Sequence, residues 1–198
     1  MEKSRDKILK KRKKKKNKGG VIFLLLLLAG FLFFSGNVLY SRLFPLEHED
    51  LIEKYAAEYG VDPYLVYGLI HTESRFQTTA ISPAGAMGLM QITPETGDFI
   101  AKRLQMKDYE ESMLYVPEVN IRMGIYYLSY LEESFPVKET RLAAYNAGPN
   151  RVKGWLDDSN VGSGDVLHSI PFEETRNYVE RVTFRETIYR ILYFYKDF

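Results

Sequence analysis

The carboxylate best placed to do chemistry in this chain is Glu73. It sits in "HTESRF" (His71–Phe76), at the end of a mostly apolar stretch. A glutamate near a helix C-terminus feels the negative end of the macrodipole. Burial against an apolar face works in the same direction, and both push a carboxyl pKa upward. A carboxyl kept protonated near neutrality can serve as a general acid. The plain alternative is a solvated glutamate at a helix end, or one paired with Arg75. Two further stretches carry groups that suit a ligand. "SPAGAMGLMQITP" (Ser82–Pro94) is a loop rich in small residues, with Met90 and Gln91 in the same piece; small residues let a backbone approach a ligand closely. "AAYNAGPNRV" places Tyr145 and Asn146 at a helix end before Gly148. A flat aromatic face with a hydroxyl, beside an amide that both donates and accepts, suits a sugar. Tyr145 as an ordinary core aromatic is the competing reading.

These groups need elements to hold them, and the pattern predicts helices throughout. Leu46–Tyr59 is one, stopped by Gly60. A second opens at Asp62, a good N-cap, with Pro63 in the first helical position. Its Leu65, Val66, Leu69 and Ile70 share a face at helical spacing. Thr93 and Pro94 repeat the same start signal for a third. Asn120–Glu133 forms a fourth, with Ile121, Ile125, Leu128 and Leu131 as its apolar stripe. "ETRLAAYNAG" is a fifth, closed by Gly148 and Pro149. A long sixth covers Glu173–Lys196, with Val179, Val182, Ile188, Ile191 and Leu192 facing inward. No alternating run is long enough to predict a strand. Ser159–Asp165 ("SNVGSGD") reads as a flexible loop. The expected fold class is all-α.

Composition narrows the partners. The chain has 198 residues and a net charge of +1. Residues 1–20 hold eleven Lys/Arg against two Asp/Glu, a net of +9, which leaves −8 for the rest. An acidic body argues against nucleic acid as its partner, since phosphate neutralisation needs clustered Lys and Arg. Cysteine is absent, which removes disulfides, thiolate catalysis and Cys-ligated zinc. His48, His71 and His168 are scattered, so no metal site is expected.

The first forty residues read as an address. A basic tail (1–20) precedes an uncharged span, Val21–Tyr40. Twenty such residues cross a hydrocarbon core about 30 Å thick as a helix. The Lys/Arg cluster before it should stay in the cytoplasm, which orients the chain N-in, C-out. An uncleaved single-pass anchor is the expectation, with a cleaved signal peptide as the alternative. The expected organisation is a tail (1–20), a span (21–40), a linker (41–47) and a domain (48–198).

Four blocks in order, "ESRF", "SPAGAMGLMQITP", "AYNAG" and "PFEETRNYVERV", resemble those of the soluble lytic transglycosylase family, whose members share a lysozyme-like domain. The resemblance runs from about Leu51 to Val182. It implies Glu73 as catalytic acid/base and Ser82 as a contact near the reacting centre. It places Met90 and Gln91 along the cleft, Tyr145 and Asn146 in its wall, and Tyr178 as a further cleft residue, with Glu174 structural. The implied substrate is peptidoglycan, cut at the β-1,4 bond between N-acetylmuramic acid and N-acetylglucosamine to leave a 1,6-anhydromuramic end. No cofactor is implied. A single carboxylate suffices for that reaction, whereas an ordinary glycosidase flanks the bond with two. Glu95 and Asp98 are the spare acids, read as solvated helix-start charges. A hydrolytic muramidase on the same fold, or an inactive wall-binding scaffold, are the alternatives.

Overall fold

A computed structural model describes residues 2–196. The chain divides into two units, 1–45 and 46–198. The first is a single helix, α1 (Glu2–Leu43). Its Gly19–Tyr40 portion is long and apolar enough to cross a membrane, and none of its described residues is buried. The helix runs on to Leu43, into what the sequence suggested as linker.

The second unit is mainly helical: α2 (Glu49–Tyr59), α3 (Pro63–Glu73), α4 (Pro94–Arg103), a 3-10 turn (Glu111–Tyr115), α5 (Pro117–Glu132), α6 (Lys138–Ala147), α7 (Pro149–Leu156) and α8 (Glu173–Leu192). Two-residue strands β1 (Gly162–Ser163) and β2 (Val166–Leu167) form a small antiparallel hairpin. Asp62 caps α3 as expected, accepting from the Tyr64 amide at 2.9 Å, and Thr93 caps α4, accepting from the Thr96 amide at 3.2 Å.

The core follows the predicted stripes. Val66, Leu69, Ile70, Ile121, Ile125 and Leu128 are wholly buried, with Leu65 and Leu131 nearly so. α3 is buried around almost its whole circumference, because α8 covers one side. The two run antiparallel: Tyr64 donates to the Tyr193 carbonyl at 2.6 Å, and Arg185 reaches Thr72 at 2.9 Å. Gly68 permits the approach. A methyl group there would lie 2.7 Å from the Glu186 backbone nitrogen and 3.0 Å from the Val182 carbonyl oxygen.

Several expectations are corrected. The first body helix starts at Glu49, because His48 takes a left-handed conformation. The last ends at Leu192, and Ile191 faces solvent, 62% exposed. Its neighbours at helical spacing already fill the buried face, so Ile191 falls outside the stripe. Ser159–Asp165 contributes β1 to the hairpin. Gly148, at φ 90°, closes α6 as expected, but Pro149 then opens α7, a helix absent from the sequence reading. The signal was there: proline is favoured at the first helical position as well as after a helix.

Candidate active site

α3 delivers Glu73 as its last helical residue, with Ser74 as cap. The Ser74 hydroxyl is buried and donates to the Leu89 carbonyl at 2.8 Å, tying the helix end to the following loop. Arg75 and Phe76 then adopt left-handed φ values of 51° and 64°. Two successive non-glycine residues in that region make a sharp exit from the helix.

Loop 77–93 is pinned from three sides. Within it, the Ser82 hydroxyl accepts from the Ala86 amide at 3.0 Å, and Met87 bridges both Ile81 and Ile92. Gly88, at φ 76°, lies so close to the 3-10 turn and α5 that a methyl group would sit 2.2 Å from the Leu114 carbonyl oxygen and 2.4 Å from the Asn120 amide nitrogen. From α5, the wholly buried Asn120 accepts from the Met90 amide at 2.7 Å. Its amide nitrogen donates to the carbonyls of Met87 at 2.9 Å and Leu114 at 2.8 Å. From α6, the Tyr145 hydroxyl donates to the Met90 carbonyl at 2.9 Å.

Three of the proposed site residues come together. Glu73 lies among buried groups, half-buried itself, with its carboxyl raised to about 7. Desolvation causes the rise; the Tyr178 hydroxyl and the charge of Arg181 oppose it. Both Tyr145 and Tyr178 are held well above the usual phenol range, chiefly by burial and then by the nearby Glu73. They therefore remain neutral phenols near the carboxyl, with the Tyr145 hydroxyl donating to the Met90 carbonyl. Among the described residues no ion pair reaches Glu73, so the Glu73–Arg75 pairing is not formed. His71, two residues back, is lowered to about 4 by burial and by Arg185 and Arg75, and its Nδ1 lies 3.2 Å from the Tyr189 hydroxyl.

Tyr145 also faces a cleft of about 490 Å³, walled by Thr93, Glu95, Phe99, Tyr127, Tyr130 and Asn146 among others. Aromatic rings line one side, with Tyr127 and Tyr145 centred 5.5 Å apart and Phe99 and Tyr130 at 5.2 Å. Asn146 is exposed at its edge. Tyr145 is thus shared between the cleft and the carboxyl.

The remaining predicted residues play other parts. Met90 is wholly buried and packs over Gly124, so its side chain supports the loop and only its backbone reaches Tyr145. Gln91, at φ 50°, uses its amide nitrogen within the loop, donating to Gly88 at 2.9 Å and Ala80 at 3.2 Å. Ser82 is half-buried and ordered by its own turn. Glu174 is exposed on α8. Asn120 and Ser74 escaped the sequence reading. Asn120 carried a signal: it lies four residues before Gly124 and eight before Leu128, so a polar amide sits on the core face of α5.

The family model described as "Transglycosylase SLT domain" matches residues 50–166. The chain belongs to that family. The soluble lytic murein transglycosylase of Salmonella typhimurium is 37% identical over 151 residues, covering 74% of this chain and 23% of the relative. A membrane-bound lytic murein transglycosylase C of Actinobacillus pleuropneumoniae is 30% identical over 156 residues, covering 67% and 43% respectively. Among solved structures, an inactive glutamate-to-glutamine mutant of the lytic transglycosylase Slt of Pseudomonas aeruginosa superposes with a TM-score of 0.68 at 36% identity, covering 75% of this chain and 24% of that one. The SLT chain described here spans about a quarter of the length of the first relatives it matches. Its mainly helical body has the lysozyme-like fold of those transglycosylases.

Proposed function

We propose that this protein is a peptidoglycan lytic transglycosylase that cleaves the β-1,4 bond between N-acetylmuramic acid and N-acetylglucosamine, with Glu73 as its one acid/base. The observation that carries the reading is a carboxyl in no ion pair among the described residues, raised to about 7 by burial and flanked by two phenols that stay protonated. Near neutrality a large share of Glu73 is an acid, able to protonate the glycosidic oxygen as the C1–O4 bond breaks. The muramyl acetamido group stabilises the positive centre at C1. Ionised Glu73 then takes the proton of the sugar 6-hydroxyl while O6 attacks C1. The carboxyl regains its proton, and a 1,6-anhydro end forms without water.

The aromatic cleft beside Tyr145 offers ring faces to the C–H faces of sugars, and Asn146 offers an amide to their hydroxyls. Relatives of similar sequence are named as murein transglycosylases, and in one a Glu-to-Gln change accompanies inactivity. The α1 span acts as a single-pass anchor with the basic tail in the cytoplasm and the SLT domain outside, which accords with a membrane-bound relative.

Glu95 favours a second reading, hydrolysis, because it puts another carboxylate in the cleft wall. Mass spectrometry of digested wall separates the two. Anhydro ends, lighter than reducing ends by one water, uphold the transglycosylase; reducing ends alone overturn it.

A further inference from the structure

Most cations of the body described by the structure have a carboxylate or a ring to answer them. Lys138 and Arg190 meet Glu186, Arg141 meets Glu132, and Lys54 meets Glu118. Arg103 lies over Tyr130, 4.5 Å from the ring centre. Among the described residues Lys102, Lys107, Lys153 and Arg176 show no such partner, and neither do three arginines near Glu73, which differ in acting on one another. Arg181 and Arg185 lie on α8, three and seven residues beyond Tyr178, and so share its face. Arg75 leaves the other side of the same junction, immediately after α3. Among the described residues none of the three takes part in an ion pair.

Arg185 is half-buried and fixed: one guanidinium nitrogen donates to the Thr72 hydroxyl at 2.9 Å, and that hydroxyl donates in turn to the Gly68 carbonyl at 2.7 Å. Arg75 and Arg181 are exposed and close enough that their charges, after desolvation, depress Arg185. Like charges gathered without a counterion cost free energy, and the fork geometry of guanidinium is suited to carboxylate. A solvated basic face would be the ordinary account of two exposed arginines. It does not account for Arg185, which is oriented by a buried helix end one residue from Glu73 and still lacks an anion.

We propose that Arg75, Arg181 and Arg185 form a carboxylate-binding site that takes an acidic group carried by the muramyl side of the substrate. This rests on the peptidoglycan reading above and specifies which part of the glycan the enzyme recognises besides its sugar rings. The acidic group has two sources, the muramyl lactyl carboxylate on a bare strand or the carboxylates of a peptide stem. A carboxylate seated there also offsets the pull of Arg181 on Glu73. The other charged or titratable neighbours acting on that carboxyl are Tyr178 from α8 and Tyr145 from α6. Substrate binding would then help hold Glu73 in its acid form.

The test uses the full chain and three substrates: strands with stems, strands stripped of stems, and stripped strands whose carboxyl groups have been converted to neutral amides. The reading is kcat/KM for wild type, Arg75→Gln and Arg75→Gln/Arg181→Gln. The effect of Arg181 on Glu73 in the free enzyme is common to all three substrates, so the ratio between charged and amidated strands reads the seated carboxylate, including its offset of that charge. Wild type should prefer the charged strands by about tenfold, as for charge-assisted hydrogen bonds, and added salt should shrink the preference. The double variant should lose it. A loss confined to stemmed strands assigns the stem; a loss on stripped strands assigns the lactyl group. A preference absent from wild type, or unchanged in the double variant, overturns the proposal. If no strand is cut, cosedimentation of the same strands with the same variants reads the site alone. A charge preference removed by the substitutions would then uphold the cluster while the catalytic reading falls.

Discussion

Two glutamates lie on the touching helices α3 and α8, and the molecule treats them in opposite ways. Glu186, only 6% exposed, has Lys138 at 2.7 Å and Arg190 at 3.3 Å. Arg190 also pairs with Asp62, the cap of α3, so this network joins the start of α3 to α8 and α6. Glu73, at the other end of α3, is in no ion pair among the described residues; burial raises it to about 7, against the nearby Tyr178 hydroxyl and the charge of Arg181. Where a buried acid has opposite charges within reach, the pairs fasten elements together. Where desolvation outweighs the donors and charges nearby, the acid keeps its proton to higher pH. The same side chain becomes a structural tie or a proton donor according to its neighbours.

The strongest way to break this comparison is Glu73→Gln. Removing a general acid/base lowers turnover by about 10² to 10⁴, so the variant should release almost no anhydro ends while still binding wall. Stability should move the other way. The folded carboxyl sits near 7 against 4.5 in the unfolded chain, so its favourable contribution is complete at acid pH and is lost as pH rises through about 7. Above that pH the glutamine variant should unfold later than wild type, by at most about 3 kcal/mol, and by less to the extent that water reaches the site. Wild-type activity should fall over the same interval as Glu73 ionises. Urea titrations at acid and alkaline pH, beside a pH–rate profile, check both parts. Equal activity in the variant would remove Glu73 from the reaction.

Glu186→Gln should do the reverse. It leaves Lys138 and Arg190 without their shared carboxylate and should cost about 2 kcal/mol, below the usual range for a broken buried pair because both cations are partly solvated. Activity per folded molecule should persist. Denaturant midpoints and rates measured on the folded fraction decide it; lost turnover with unchanged stability would mean that the two acids are not divided by role.

This division was only half legible in the sequence. Helical spacing exposed the core of α3 and α5, because residues such as Leu69 and Ile125 need only a periodic apolar face. Asp62–Pro63 and Thr93–Pro94 marked helix starts because capping is local. Glu73 could be singled out by its place at an apolar helix end. That it meets tyrosines, while Glu186 meets Lys138 forty-eight residues away, depends on how α8 lies on α3, which no local pattern records. Met90 shows the same limit: its apolar side chain suited a cleft or a core equally, and packing against Gly124 put it in the core. The hairpin went unseen because two-residue strands have no period.

Since both glutamates depend on the α3–α8 crossing, Gly68→Ala tests the support they share. The added methyl group would press on the Glu186 backbone nitrogen at 2.7 Å. Overpacking of this kind costs about 1 to 3 kcal/mol, partly offset by the better helix propensity of alanine. A net loss of about 1 kcal/mol is expected, with lower turnover as Tyr178 moves away from Glu73. Thermal unfolding and activity should therefore fall together, unlike in either glutamate variant.

The smallest effect should come from Tyr178→Phe, and it sharpens the comparison most. The Tyr178 hydroxyl is buried and has no well-formed hydrogen bond, yet it lies near enough to Glu73 to oppose the rise of the carboxyl. Removing it takes away a donor that favours the charged form. The alkaline limb of the pH–rate profile should therefore move to higher pH. Because the hydroxyl is poorly satisfied, its loss should alter stability by less than about 1 kcal/mol. A limb that moved to lower pH would mean that Tyr178 stabilises the protonated acid, and the contrast with Glu186 would then rest on burial alone.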